Sequence, residues 1–144
     1  MRVPYYLALA VSGVCWFGVA GVLGSAIPIF GEMWAQHLVS AIITSLAVGY
    51  IFKKLVMTWL GWRWYVLPIL TVLVASALYG LLVPSSWWAA DMMQRGDFRV
   101  EGEAFYFIPP VMVFYSMTVY IVILYPLALL TQTVLRNVYR NPAR

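Results

Sequence analysis

Charge is scarce in this sequence. Charged residues make up only 10% of its 144 residues, hydrophobic residues make up 64%, and the mean hydropathy is +0.87. A soluble domain carries about 25% charged residues. So little charge cannot cover a water-facing surface, which excludes an ordinary soluble domain. The composition indicates a membrane protein in which apolar side chains point outward into lipid.

Cysteine and histidine each occur once, as Cys15 and His37. One cysteine forms no internal disulfide, no CxxC redox pair and no cysteine metal cage. One histidine cannot provide a two-histidine haem site within a single chain. The sequence also has no HExxH or GxSxG motif and no glycine-rich phosphate-binding loop. We therefore expect no catalytic site and no cofactor other than bound lipid.

Four apolar stretches are long enough to cross a bilayer, which requires about 20 apolar residues in a helix. The first of them starts soon after Arg2, but its uncharged run is longer than the apolar core of a signal peptide, so we interpret it as a membrane helix. The sequence predicts a single all-α transmembrane domain, 1–144, folded as a four-helix bundle. The predicted spans are 5–30, 33–52, 65–83 and 110–130.

The main polar segment, 84–109, lies between the third and fourth spans and holds six of the fourteen charged residues. We expect Pro84 to end the third span, because proline interrupts helical hydrogen bonding. Ser85 is a candidate helix N-cap, and Gly96 a candidate residue just past a helix end. Residues 86–95 are then predicted to form a short amphipathic helix that lies on the membrane with its apolar face down.

The same insertion offers a surface for a protein partner. Polar and apolar residues alternate over 97–101, a period of two that predicts extended backbone. Tryptophan is frequent at binding hot spots, although it is equally common at the headgroup level of membranes. The candidate partner-binding residues are Trp87, Trp88, Met92, Met93 and Phe98.

The distribution of cations predicts the orientation. Two cations, Arg95 and Arg99, share the remaining connections with all five acids, whereas the termini and the middle loop carry seven cations and no acid. Cytoplasmic loops are enriched in Lys and Arg. Both termini are therefore predicted to be cytoplasmic and the insertion to lie on the outer face of a bacterial inner membrane. The seven cations are Arg2, Lys53, Lys54, Arg63, Arg136, Arg140 and Arg144.

Small residues recur about every fourth position in the first two spans. Such rows let helix backbones approach closely within a membrane, where no hydrophobic effect drives helices together. We expect these rows to face other helices. The predicted packing residues are Ala8, Ser12, Ala20, Gly24, Ala41, Ser45 and Gly49.

Glu32 and His37 are the candidates for metal or cofactor binding, with Asp91 or Glu101 as possible further ligands. The two residues lie near the start of the second span, so they could handle protons or a metal together. The simpler interpretation is an acid favoured by the helix dipole and a histidine that is hydrogen-bonded inside the bundle. We favour the simpler interpretation, because a position near the membrane surface lowers the energetic cost that marks buried charges as functional.

These observations lead us to expect a small, non-catalytic membrane subunit that docks in a larger complex through its helix faces and outer insertion. One alternative is a small oligomeric channel or transporter. A second is a cofactor-binding or redox subunit that uses His37. The expected partners are the lipid bilayer and other membrane subunits, or further copies of this chain. No basic stripe with interleaved polar readers is present, so we expect no binding of nucleic acid.

Overall fold

A computed structural model describes residues 4–24, 34–95 and 103–140. Within these ranges all regular structure is helical. Three of the helices, α2, α3 and α5, are long and apolar enough to cross a membrane, and α1 has a shorter apolar stretch. The chain is therefore an all-α, multi-pass membrane protein. The five described helices are α1 (Tyr5–Gly24), α2 (Trp34–Thr58), α3 (Trp62–Arg95), α4 (Glu103–Thr118) and α5 (Ile121–Arg140).

Two glycines allow neighbouring helices to approach until their backbones touch. α1 packs mainly on α2, and α4 packs mainly on α3. A Cβ atom added to Gly13 would lie 2.7 Å from the Ile42 Cα, and one added to Gly80 would lie 2.7 Å from the Pro109 Cα. Any side chain at these positions would push two backbones apart. The two helix pairs thus depend on contacts that only glycine permits.

The third apolar segment does not end at Pro84. α3 continues through this proline to Arg95, so the expectations of a helix end there and of a separate short helix lying on the membrane are wrong. Ser85 does not cap a helix start, because its Oγ donates to the Leu81 carbonyl one turn earlier, at 2.7 Å. Pro84 and its neighbour Val83 are buried. Packing on both therefore keeps the helix continuous across the hydrogen bond that proline cannot make.

The fourth apolar segment, expected as one helix over 110–130 with a kink at Pro126, is divided in two. The amides of Val119 and Tyr120 both donate to the Tyr115 carbonyl, which takes the chain out of the regular helical ladder. The Tyr120 carbonyl then accepts the first hydrogen bonds of α5. β-branched residues surround this break and lower helix propensity there. The chain therefore breaks before the proline rather than bending at it.

Side-chain contacts join α5 to the first part of α3. The contacts are Tyr125 Oη to the Tyr65 carbonyl (3.2 Å), Gln132 Nε2 to Thr71 Oγ1 (2.7 Å), and the Arg136 guanidinium over the Trp64 ring (4.6 Å).

The buried apolar side chains gather near the end of the bundle where α1 and α3 begin. Two clusters can be distinguished, one joining α1 to α5 and the other joining α2 to α3. α5 therefore packs at the end of the bundle where α2 connects to α3. The first cluster is Tyr5, Leu9 and Leu135, and the second is Phe52, Val56 and Leu67.

The contact at Gly80 predicts that alanine substitutions at two helical glycines change the free energy of unfolding by different amounts. Gly80→Ala should lower the free energy of unfolding by about 1–3 kcal/mol, because the new methyl group meets the Pro109 backbone rather than a side chain that can rotate away. Gly18 is the matched control: a Cβ there meets nothing within 4 Å. Gly18→Ala should be neutral or stabilising by up to about 1 kcal/mol. Thermal unfolding in detergent micelles measures both, and equal stability of the two variants would contradict the close approach of α3 and α4.

Candidate binding site

A cavity of about 280 Å³ lies between the helices and is open over part of its surface, and all five helices contribute to its wall. Every described residue on this wall is uncharged, and most of them are apolar. We call this space the interior cavity. Its wall includes Trp16 from α1, Ser45 from α2, Ala75 from α3, Met112 from α4 and Leu124 from α5.

A buried polar pair on the wall joins α3 to α5. Gln132 is only 5% exposed, and its Nε2 donates to Thr71 Oγ1 at 2.7 Å. The Thr71 hydroxyl in turn donates its own proton to the Pro68 carbonyl at 2.9 Å. Since that proton is used, the threonine oxygen can only accept a hydrogen bond from the glutamine. This arrangement determines which way the Gln132 amide is turned.

The orientation of the amide leaves one acceptor unpaired among the described residues. Gln132 Oε1 is buried and has no hydrogen-bond partner among the described residues. Thr44 Oγ1, on the same wall, is likewise buried and unpartnered within the described part of the chain. A buried polar atom without a partner costs roughly 1–3 kcal/mol. Both oxygens are almost fully covered by protein, so they do not face a molecule in the cavity.

The break between α4 and α5 lies beside the interior cavity. Ser116 and Tyr120, on either side of the break, both line the wall. The last four carbonyl groups of any helix have no partner within that helix. Irregular backbone of this kind occurs at membrane depth only where it is buried in protein or lines a cavity. The position of the break beside the cavity is consistent with this rule.

His37 lies at the other end of the bundle in an aromatic setting. It is 2% exposed, its Nδ1 is 2.7 Å from the Tyr79 hydroxyl, and the Trp87 ring meets it edge-on with centroids 6.1 Å apart. These contacts join the start of α2 to the second half of α3. Tyr79 also reaches the wall of the interior cavity. Among the described residues, no three His, Cys, Asp or Glu side chains are grouped so that they could hold a metal ion.

The candidate partner-binding residues are not equally accessible. Trp87 is half-buried against His37, and Met92 is also partly buried. Trp88 is 39% exposed and Met93 is 88% exposed. Phe98 lies outside the described residues, as does Glu32.

The small-residue row of α2 lies against α1. Ser45 Oγ donates to the Leu9 carbonyl at 2.7 Å, and the Tyr5 hydroxyl donates to the Gly49 carbonyl at 3.1 Å. Ala41 is buried, and its carbonyl lies next to Gly13 of α1. Polar contacts therefore accompany the close packing of these two helices.

The row of α1 is described only in its first half. Ala8 packs beside the Tyr5–Leu9–Leu135 cluster, and Ser12 lines the interior cavity. Ala20 and Gly24 belong to α1, but their surroundings lie outside the described part of the structure.

Sequence reasoning missed three residues that build this site: Thr71, Tyr79 and Gln132. Gln132 lies two residues past the predicted fourth span, 110–130, although it follows directly on the apolar run of α5. An amide within an apolar membrane helix is itself a signal, because polar groups inside a membrane usually pair with one another. The partner could not have been named, since Thr71 is 61 positions away.

No protein-family model, curated protein or solved structure matches this chain.

The contact between His37 and Tyr79 predicts that substitutions at these two residues have non-additive effects on the free energy of unfolding. Tyr79→Phe should lower the free energy of unfolding by about 1 kcal/mol, because it removes one buried hydrogen bond and leaves the ring in place. Tyr50→Phe is the control, since Tyr50 is exposed. In a His37→Phe background the effect of Tyr79→Phe should shrink, as expected for two residues in direct contact. Thermal unfolding of the four proteins of this cycle measures the coupling, and strictly additive effects would contradict the hydrogen bond.

Proposed function

We propose that this protein is a small, non-catalytic subunit that docks in and stabilises a larger complex of the bacterial inner membrane. α1, α2 and α3 cross the membrane in this proposal, and α4 with α5 forms a broken fourth crossing. The observation that carries the proposal is the length of α3. Its far end holds exposed apolar side chains that a protein partner could cover.

α3 is longer than a bilayer requires. Its 34 residues correspond to about 51 Å of helix, whereas the hydrocarbon core is about 30 Å thick. Trp62 and Arg63, at the start of α3, are typical of the headgroup level. With Trp62 at that level, Met93 is about 46 Å along the helix axis and extends past the opposite headgroups. The last turns of α3 therefore project from the membrane in this arrangement.

This projecting end carries apolar surface away from lipid. Trp88 and Met93 are exposed there. Because α3 continues through Pro84, these side chains belong to the same helix as the membrane-crossing segment rather than to a separate helix that rests on the membrane. Exposed apolar side chains above a bilayer are best covered by another protein. We name the surface formed by Trp88 and Met93 the projecting surface, and we assign it to contact with a partner subunit.

The cations support an orientation with both termini in the cytoplasm and the projecting surface outside. Lys53 lies 4.9 Å from the centre of the Tyr5 ring, which joins the end of α2 to the start of α1. Arg136 lies over Trp64, which brings the end of α5 to the start of α3. These cations therefore gather at one end of the bundle, as the positive-inside rule expects of a cytoplasmic face.

A small oligomeric transporter is the second candidate. The break between α4 and α5 beside the interior cavity favours it, because interrupted helices commonly form substrate sites in transporters. Solute flux in vesicles that contain only this protein would favour the transporter over the subunit. The redox alternative depends on His37, whose described contacts with Tyr79 and Trp87 suit a structural side chain. We therefore rank that alternative third.

The orientation predicts opposite labelling of two introduced cysteines. Met93 and Thr58 are both exposed, and they lie at opposite ends of the bundle. In a Cys15→Ser background, Met93→Cys should react with a membrane-impermeant maleimide in intact spheroplasts. Thr58→Cys should react only after the membrane is permeabilised. The reverse pattern would overturn the orientation.

The docking role predicts that two tryptophans of α3 respond differently to truncation. Trp88→Ala should weaken partner binding by roughly 2 kcal/mol, the effect typical of an interface hot spot. Trp62→Ala is the matched control, because Trp62 is an exposed tryptophan at the opposite end of the same helix. Native mass spectrometry of the complex purified in mild detergent measures the stoichiometry of any partner.

A charge on the projecting surface provides a second comparison. Met93→Glu should release the partner, since its carboxylate would be buried without a counter-charge, whereas Met93→Leu should retain it. Recovery of the same chains in the same ratio from the Trp88→Ala and Met93→Glu proteins would contradict the docking role.

A further inference from the structure

We propose that the interior cavity holds one acyl chain of an anionic phospholipid, whose headgroup phosphate pairs with Lys53 at the end of the bundle where α1 and α3 begin. The lipid belongs to the leaflet at that end. The site is separate from the projecting surface, so it does not depend on the docking role.

The interior cavity is elongated and runs along the helices. Its lining residues extend over positions 5–19 on α1, 41–56 on α2 and 120–135 on α5. At 1.5 Å per residue, each of these stretches is roughly 20 Å long. One leaflet supplies about half of the 30 Å hydrocarbon core, so an extended acyl chain fits along the cavity. Because the cavity is open over part of its surface, such a chain enters from the bilayer without crossing water.

The wall of the cavity suits hydrocarbon. None of the described lining residues is a cation or an acid, and most are apolar. Several hydroxyl groups of the wall already donate within the protein: Ser45 to the Leu9 carbonyl, Ser76 to the Val72 carbonyl and Thr131 to its own helix. An acyl chain needs no polar partner, and it gives packing contacts to apolar side chains that an empty space would leave without them.

A cation stands at one end of the cavity. Tyr5 forms the wall where α1 begins, and the Lys53 ammonium lies 4.9 Å from the centre of its ring and 5.4 Å from the centre of the Tyr6 ring. Tyr5 is itself fixed, because it is buried and its hydroxyl donates to the Gly49 carbonyl at 3.1 Å. The two rings therefore hold the charge of Lys53, an exposed residue, beside the mouth of the cavity.

The protein brings no acid to this end among its described residues. Its five acids are at positions 32, 91, 97, 101 and 103, and the two that the structure describes, Asp91 and Glu103, lie at the opposite end. Arg136 adds a second cation at the same end as Lys53, over the Trp64 ring. Cations at a membrane surface attract anionic lipids. A phosphate tethered to a chain in the cavity has a high effective concentration at Lys53, so the two contacts reinforce each other.

Two photoreactive phospholipids that differ only in the headgroup test this site. Each carries a diazirine midway along one acyl chain, one on phosphatidylglycerol and the other on phosphatidylcholine. The purified protein is reconstituted in phosphatidylcholine vesicles with either probe at the same mole fraction, irradiated, and mapped by mass spectrometry.

We expect the phosphatidylglycerol probe to label the wall near Ser12 and Ala128 about fivefold more than the phosphatidylcholine probe, the ratio that one cation near the surface provides for an anionic lipid. Both residues line the cavity about 10 Å along the helix axis from its cation end. Ile43 is exposed and should be labelled equally by the two probes. Equal labelling of the wall, or labelling confined to exposed positions such as Ile43, would overturn the proposal.

Two neighbouring lysines assign the preference for the anionic headgroup. Lys53→Gln should reduce the ratio between the two probes to about one, because it removes the charge beside the Tyr5 ring. Lys54→Gln is the matched control: it removes the same charge from an exposed residue that is turned about 100° around the axis of α2. This variant should keep most of the ratio. An equal reduction in both variants would indicate a diffuse attraction and overturn the assignment to Lys53.

Filling the cavity tests the contact with the acyl chain. Ala75→Phe places a ring among the lining residues and should abolish labelling of the wall by both probes. Ala77→Phe is the control, since Ala77 lies on the same helix outside the lining, and labelling should persist there. Wall labelling that survives Ala75→Phe would place the chain elsewhere and overturn the proposal. The comparison of the two probes in the unaltered protein decides the question even if a variant does not fold.

Discussion

The fold depends on the need of polar groups inside a membrane to find hydrogen-bond partners within the protein. Much of this chain lies in apolar helices, yet those helices carry many hydroxyl groups. Several of them donate to a carbonyl one turn back in their own helix, at 2.6–2.8 Å. This pairing lets a hydroxyl face lipid or a neighbouring helix at little cost. Such residues are Ser76, Thr118, Thr131 and Thr133.

The polar groups that do not pair within their own helix connect one helix to another. Ser45 and Tyr5 join α1 to α2, His37 and Tyr79 join α2 to α3, and Gln132 joins α5 to α3. Close backbone contact at Gly13 supports the pairing of α1 with α2, and close contact at Gly80 joins α3 to α4. Because lipid tails are as apolar as leucine, these contacts rather than a hydrophobic effect hold neighbouring helices together. Gln132 Oε1 and Thr44 Oγ1 are the exceptions, because both are buried without a partner among the described residues.

The proposed docking surface and the wall shared by the five helices lie in different parts of the molecule. The projecting surface is at the far end of α3, a helix of 34 residues, and we propose that a protein partner covers it. The cavity lies between the helices, and none of its described lining residues is charged.

The low charge and the long apolar runs were enough to predict an all-α, multi-pass membrane protein. Only helices and closed barrels satisfy the backbone inside a membrane, and runs of about 20 apolar residues fit helices. The second apolar stretch was also located correctly, although α2 continues six residues past the predicted end. Local sequence signals failed at two positions. At Pro84, burial kept α3 continuous through a proline. At Val119, a β-branched stretch separated α4 from α5 before Pro126 was reached. The partner of Gln132 and the contact of Trp87 with His37 depend on residues distant in sequence. Only tertiary packing could decide them, since a side chain's preference for lipid or protein is set by which helix lies beside it.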